Sequence, residues 1–374
     1  MNEFIPYGRQ SIDEEDIQAV VDVLRSDYLT TGPKIAEFEQ VIADYIGVTY
    51  AVAFSNGTAA LHGACYAAGI SEGDEVITSP ITFAASANCV QYMNGTVVFA
   101  DINEQTYNID IKEIEKHITP QTKAIIPVDF TGQPADMDAI MALARKYNLI
   151  VIEDGAHSLG ATYKERKVGT LADMTMFSFH PVKPVTTAEG GVIVTNNESF
   201  YRKLLHFRSH GIEQTPYAKA QGDWYYEMTT LGYNYRMTDL QAALGISQMK
   251  KIDTFIEKRR QLANYYNELL VDTEIGVPYQ LPNTASGWHL YSVQLPQDLD
   301  RKEVFDRMRA LNIGVHVHYI PVYWHPYYQA LGYKKGLCPN AEKWYEQALT
   351  LPLHQQITQQ NIQDIVKELM SHYE

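Results

Sequence analysis

Cysteine is scarce. The chain of 374 residues has three, Cys65, Cys89 and Cys338, an odd number without a CxxC spacing. That excludes a disulfide framework or a thiolate zinc cluster and fits a reducing compartment. Long apolar runs are missing too: no stretch approaches the ~18 residues that a spanning helix needs. The opening MNEFIPYGRQ has no basic segment leading into an apolar one. The expectation is a cytoplasmic protein with no membrane role. Positive charge is in deficit, with 30 Lys and Arg against 45 Asp and Glu and a net charge of −15. No nucleic-acid partner is expected, because phosphate-backbone binders present a basic face. Neither GxxxxGK[ST] nor GxGxxG occurs, so ATP and dinucleotide sites lose their main support. The Asn-x-Ser/Thr triplets at Asn56, Asn94 and Asn197 read as chance matches without a secretory signal.

What is present is alternation of strand and helix signals over the first two hundred residues, the pattern of a largely parallel sheet covered on both faces. Ser11 with Glu14 reads as a capping box opening the first helix, and a second helix through AEFEQVIADYIG stops at Gly47. Strand and helix steps then run from YAVAF to LIVIED. Closely spaced strands follow, DMTMFSF and GGVIVT, and then MTDLQAALGISQMKKIDTFIEKRRQLANYYNELL reads as one long helix joining two domains. The spacing predicts a large α/β domain over residues 1–250, whose N-terminal segment packs with the small domain, and a smaller α+β domain over 251–374. In the latter, WHLYSVQL and GVHVHYI read as strands, and RKEVFDRMRAL, AEKWYEQALTL and QQNIQDIVKELM as helices.

Ligands of open α/β sheets collect beyond the carboxyl ends of the strands. Four segments lie there: SNGTAAL, TSPITF, EDGAH and SFHPVK. In the first, the N–H groups at Gly57 and Thr58 open a helix and suit a phosphate dianion, although a plain strand-to-helix turn has the same residues. Asp154 ends an apolar run where charge is costly unless paired; it suits a protonated ring nitrogen, or else a helix cap. Lys183 is a lone amine between prolines, a nucleophile if burial or nearby charge keeps it neutral and a solvated loop lysine otherwise. With Phe83 as a stacking ring, these four are the parts that hold pyridoxal phosphate: anchor, sandwich, electron sink and tether.

In this combination the chain resembles the DegT/DnrJ/EryC1/StrS family of PLP-dependent sugar aminotransferases over nearly its whole length. The matching segments are SDYLTTGP with downstream FE, SNGTAALH, SPITFAASAN, EDGAHSLGA, SFHPVKPVTTAEGG, LHFRSHG and LGYNYRMTDLQAALG. The resemblance implies a fold-type I, aspartate aminotransferase-like architecture with a seven-stranded-type, mostly parallel sheet. It also implies pyridoxal 5'-phosphate as cofactor, L-glutamate and a nucleotide-linked ketosugar as substrates, and a homodimer with shared active sites. By the same resemblance Lys183 is the covalent tether and proton carrier, Asp154 pairs with the pyridinium nitrogen, and His157 contacts the phenolic oxygen. Phe83 stacks on the ring, and Gly57, Thr58 and Ser178 hold the phosphate with Asn234 of the second subunit. Thr30, Thr31 and Gly32, with His318 and Tyr319, are placed at the sugar nucleotide. A lysine, not a histidine, at position 183 favours transamination over sugar dehydration.

The segments IPYGRQSIDEEDIQAVVDVLRSDYLTTGP and HPVKPVTTAEGG look most like the branch that makes UDP-4-amino-4,6-dideoxy-N-acetyl-β-L-altrosamine for pseudaminic acid. This implies amination at the C4 ketone of a UDP-linked 2-acetamido-2,6-dideoxy-hexos-4-ulose. Amination at C3 or C4 of a dTDP-linked or other ketosugar stands as the alternative. Two other classes differ in kind. A zinc hydrolase would use His316, His318 and His325, although no acidic ligand is near in sequence. A catalytically idle sugar-binding regulator is disfavoured by the paired Asp154 and Lys183. No metal site is expected.

Overall fold

A computed structural model describes residues 3–371. Seven strands build the central sheet: β1 Tyr50–Phe54, β2 Glu75–Thr78, β3 Thr96–Phe99, β4 Thr122–Ile126, β5 Ile150–Asp154, β6 Met174–Ser178 and β7 Gly191–Thr195. Their spatial order is β1-β7-β6-β5-β4-β2-β3, with β7 antiparallel to both its neighbours and the remaining pairs parallel. The strands are apolar through most of their length because both faces are covered by helices. This is the α/β architecture expected from the alternation of strand and helix signals, with a large, mostly parallel sheet.

Three apolar clusters line the sheet. A fourth, including Tyr266, Tyr291, Met308, Leu349 and Ile365, is built from residues 262–369, with Ile5 packed against it. The N-terminal segment runs beside it, since Ile5 exchanges backbone hydrogen bonds with Asn312 and Gly314. The C-terminal chain also returns to the sheet: Val322, Tyr323, Tyr328 and Trp344 are buried in the cluster around β2 and β3. The helix Pro339–Gln347 has no side-chain cap of its own at Cys338. Asp101, just beyond β3, takes that place by accepting from the N–H groups of Asn340 and Ala341 at 2.9 and 3.0 Å.

Four local expectations need correction. The first helix, Glu14–Leu24, is capped by Asp13 in a box with Asp16, not by Ser11. The long helix is two, Asp239–Met249 and Ile252–Leu270. The break turns Lys251 onto Asp13 and Asp16 at 2.6 and 2.9 Å, so tertiary charge pairing overrides a pattern that reads as continuous. The segment 314–320 is not a strand. It makes one bridge, His316 to Thr350, before leaving the small sheet and taking Tyr319 to the cavity. Finally, Ala348–Leu351 is not the end of a helix but a strand paired with Tyr291–Gln294; a short apolar run is ambiguous by periodicity alone.

Candidate active site

Strands β5 and β6 end at Asp154 and Ser178, and β1 leads through Ser55 and Asn56 into the helix Gly57–Ala67. Beyond these ends lies a cavity of about 820 Å³. It brings together Gly57, Thr58, Phe83, Asp154, His157, Ser178, Lys183, His318 and Tyr319, nine of the residues selected from sequence.

One end is an anion cup. Asn56 caps the helix by accepting from the N–H of Ala59 at 2.8 Å, leaving the N–H groups of Gly57 and Thr58 at the positive end of the helix. The approach is tight. A Cβ on Gly57 would meet Met176 Sδ at 3.3 Å and Ser178 Oγ at 3.5 Å, and one on Gly191 would stand 2.5 Å from the Asn56 carbonyl oxygen. Glycine at these positions lets the turn sit directly on β6 and β7, with the Ser178 hydroxyl beside it. Phe83 borders the cavity with 64% of its surface exposed, an unpacked aromatic face at the wall.

The opposite pole is acidic. Asp154 is buried, accepting from Ser86 Oγ at 2.6 Å and from the N–H of Ala156 at 3.1 Å. Burial raises its carboxyl above the usual range, against the opposing pull of those two donors and of Lys183. Ser86 is itself held by Thr82, oxygen to oxygen 2.7 Å.

Lys183 lies in the hairpin between β6 and β7, fixed by backbone bonds from Lys183 N–H to the His180 carbonyl and from Thr187 N–H to the Phe179 carbonyl. Burial pushes its amine down to about 7; Asp154 opposes the shift and Arg259 adds to it. The amine is therefore partly neutral near pH 7, as a lysine nucleophile requires. Three histidines surround it. His157, His289 and His318 are all buried and held in the neutral form, chiefly by desolvation and further by Lys183. Tyr319 lies 3.2 Å from His157 Nε2, and His157 Nδ1 has no hydrogen-bond partner among the described residues.

Thr30, Thr31, Gly32 and Asn234 do not line this cavity. Thr30 bridges to Thr238, and the Gly32 N–H donates to Asp239 at 2.8 Å. Asn234 is exposed, whereas its neighbour Tyr235 does line the cavity. The sequence reading missed Ser86, His289 and Tyr7. Ser86 lies in the quoted segment SPITFAASAN, one helical turn after Phe83, and Tyr7 in the quoted segment that begins IPYGRQ, but no matching family segment holds His289, which stands in WHLYSVQL, read only as a strand. His316 and His318 stack at 4.6 Å. Among the described residues no group of three or more His, Cys, Asp or Glu is placed to hold a metal ion, and no helix is long and apolar enough to cross a membrane.

The family model of the DegT/DnrJ/EryC1/StrS aminotransferases matches residues 10–370. The Bacillus subtilis spore coat polysaccharide biosynthesis protein SpsC is 40% identical over 374 residues, covering 98% of this chain and 96% of the relative. A Campylobacter jejuni UDP-4-amino-4,6-dideoxy-N-acetyl-beta-L-altrosamine transaminase is 39% identical over 373 residues, covering 98% and 97%. Among solved structures, Helicobacter pylori PseC, an aminotransferase involved in pseudaminic acid biosynthesis, superposes with a TM-score of 0.93 at 33% identity over 99% of both chains.

Proposed function

This chain belongs to the DegT/DnrJ/EryC1/StrS aminotransferase family, and from that membership we propose that it transfers the amino group of L-glutamate to the C4 ketone of a UDP-linked 2-acetamido-2,6-dideoxy-hexos-4-ulose. The coarser statement stands without proposal: the protein is a pyridoxal-phosphate-dependent nucleotide-sugar aminotransferase. The finer one is supported by likeness to the Campylobacter jejuni transaminases and to PseC. The product would be UDP-4-amino-4,6-dideoxy-N-acetyl-β-L-altrosamine, made in the cytoplasm.

The observation that carries the reading is the placement of Lys183, its amine near neutrality, and Asp154 around one cavity with an anion cup. The residues fit the cofactor. The glycines at 57 and 191 let the helix start sit against β6 and β7 with its N–H groups turned to the cavity, and His157 Nδ1 is buried without a partner among the described residues. The N–H groups of Gly57 and Thr58 with Ser178 would hold the phosphate, Phe83 would stack on the ring, and Asp154 would pair with the ring nitrogen. When bound, pyridoxal phosphate supplies an aldehyde to carry the amino group and a ring to delocalise the electron pair left by proton loss.

The protein's part is binding and proton movement. Lys183 Nζ would hold the cofactor's aldehyde, and its amine, when free, would carry the proton taken from the α-carbon of the amino donor and, in the reverse sense, the one delivered on the sugar side. Asp154, favoured as an anion by the Ser86 hydroxyl, would keep a bound ring nitrogen protonated. His318 and Tyr319 line the cavity on the side of the small sheet and contact the sugar.

The active unit is a homodimer. The segment 212–233 exposes Trp224, Met228 and Leu231 at 80, 63 and 73%, large apolar side chains of the kind that a subunit interface covers. Asn234, at the end of that segment, reaches the partner's phosphate cup in this reading, and Thr30, Thr31 and Gly32 contact the partner's sugar nucleotide.

The test is hydride trapping of the cofactor adduct with peptide mapping, followed by UDP- and dTDP-linked ketosugars with glutamate as donor. The expected result is an adduct on Lys183 and a 4-amino product from the UDP-sugar. A product only from dTDP-sugars overturns the substrate, and an unmodified Lys183 overturns the site.

A further inference from the structure

Lys183 Nζ lies 3.2 Å from His289 Nε2, a contact that none of the roles above uses. His289 is itself buried, at 3% exposure, at the cavity wall just before the strand Tyr291–Gln294. Its backbone is clamped from behind. Arg259, wholly buried in the helix Ile252–Leu270, donates through Nη1 to the carbonyls of Trp288, His289 and Leu353 at 3.2, 3.1 and 2.9 Å. No carboxylate pairs with this guanidinium among the described ion pairs; backbone carbonyls take Nη1, Gln355 Oε1 accepts from Nη2 at 3.4 Å, and Nε has no hydrogen-bond partner among the described residues. The His289 ring in turn packs on that of His157, with centroids 4.5 Å apart.

We propose that His289 is a positioning residue for the transamination, its neutral imidazole Nε2 accepting a hydrogen bond from Lys183 Nζ and thereby fixing the direction of the amine's lone pair. The inference rests on the assignment of Lys183 as the tether. A neutral primary amine has two N–H groups and one lone pair. With one N–H held on His289, the lone pair and the second N–H are left to the cavity, where the carbon to be attacked or deprotonated lies. His289 does not serve as a base, because desolvation and the cations Lys183 and Arg259 keep its ring from accepting a proton. The acceptor role requires the tautomer with hydrogen on Nδ1, a nitrogen that is buried with no hydrogen-bond partner among the described residues, so the tautomer itself is what the test below reads.

The titratable groups facing the amine are Asp154 at the end of β5, His157 after it, His180 on the lysine's own hairpin, and His289, His318 and Arg259 across the cavity; besides burial, Asp154 and Arg259 are the ones that act on its charge. An acceptor hydrogen bond favours ammonium over amine, because bonds to charged groups are the stronger ones. Loss of His289 therefore lowers the midpoint at which Lys183 becomes reactive, by about half to one pH unit.

The experiment uses the full-length apoprotein. The rate of adduct formation between Lys183 and pyridoxal 5'-phosphate is followed from pH 5 to 10 by hydride trapping and peptide mapping, for wild type, His289→Leu and His289→Gln. The expected result is a midpoint displaced downward in H289L and restored in H289Q, whose amide oxygen still accepts. A midpoint unchanged in H289L, or displaced equally in H289Q, overturns the proposal. Should H289L fail to fold, nitrogen-15 spectra of histidine-labelled wild type decide: Nε2 of His289 must be unprotonated and must not titrate in the ordinary histidine range, and a proton on Nε2 overturns the proposal. An adduct absent from Lys183 in the wild type would instead sink the tether assignment, so the two failures are distinct.

Discussion

Ser86→Ala tests whether Asp154 is kept as an anion by its hydroxyl partner. The Ser86 Oγ to Asp154 Oδ2 bond is short, at 2.6 Å, buried, and made to a carboxylate that burial already drives toward protonation. A hydrogen bond to a charged group contributes about 1.5–3 kcal/mol, and one pKa unit corresponds to 1.36 kcal/mol, so removing the hydroxyl should raise the Asp154 carboxyl by about one to two units. In the proposed arrangement cofactor binding needs the Asp154 anion to pair with the ring nitrogen. Affinity for pyridoxal 5'-phosphate in the apoprotein, measured by fluorescence titration from pH 5 to 8.5, should lose its acid limb one to two units earlier in S86A. Low on the acid limb, where Asp154 is protonated in both proteins, the loss should reach about tenfold or more, converging on wild type at alkaline pH. The sign for stability is separate. A carboxyl whose folded pKa is raised costs stability above its ordinary range, so the fall in Tm should be greater at pH 8 than at pH 4. Affinities within twofold at every pH of the titration, in a variant that folds as wild type, would refute the reasoning.

Other outcomes follow from the same geometry. Asp154→Asn should lower the rate of the glutamate half-reaction by far more than it lowers bound cofactor, as read by stopped-flow absorbance against cofactor content. Lys183, with its amine at about 7, holds fewer protons in the folded than in the unfolded chain between about pH 7 and 10.5. Its contribution to apoprotein stability should therefore rise with pH across that window, and Lys183→Met should flatten the slope of Tm against pH. Leu231→Glu combined with Trp224→Ser should produce monomers in analytical ultracentrifugation and, if Asn234 serves the neighbouring subunit, weaken cofactor retention with them.

Much of the site was legible because its parts sit where one-dimensional signals are strong. Apolar strands that end in a charged or hydroxyl residue placed Asp154 and Ser178, and a glycine at a helix start marked the cup. Ser86 stood in a quoted segment without drawing notice, since a serine inside a helix has no signature until its distant carboxylate is known. His289 was equally silent: it meets Lys183 only because Arg259 draws helix Ile252–Leu270 and the chain around residue 289 together. The errors in fold have a similar origin. The helix that is two helices breaks for ion pairs with Asp13 and Asp16, more than two hundred positions away in the chain. The alternating GVHVHYI reads as a strand because alternation is local, whereas pairing needs a neighbour alongside, and this segment bridges once, His316 to Thr350, before it leaves for the cavity.

Asp101 serving as the cap of the Pro339–Gln347 helix, together with the seating of Val322 to Trp344 against the main sheet, bears on how substrates get in. Enzymes with two freely jointed lobes admit ligands by swinging apart. Here the last third of the chain is riveted to the rim of the first, so a wide swing would strip a helix of its terminal hydrogen bonds and bare several aromatic rings. The vessel must therefore be filled through its mouth, with adjustments confined to the side chains and short loops around that mouth.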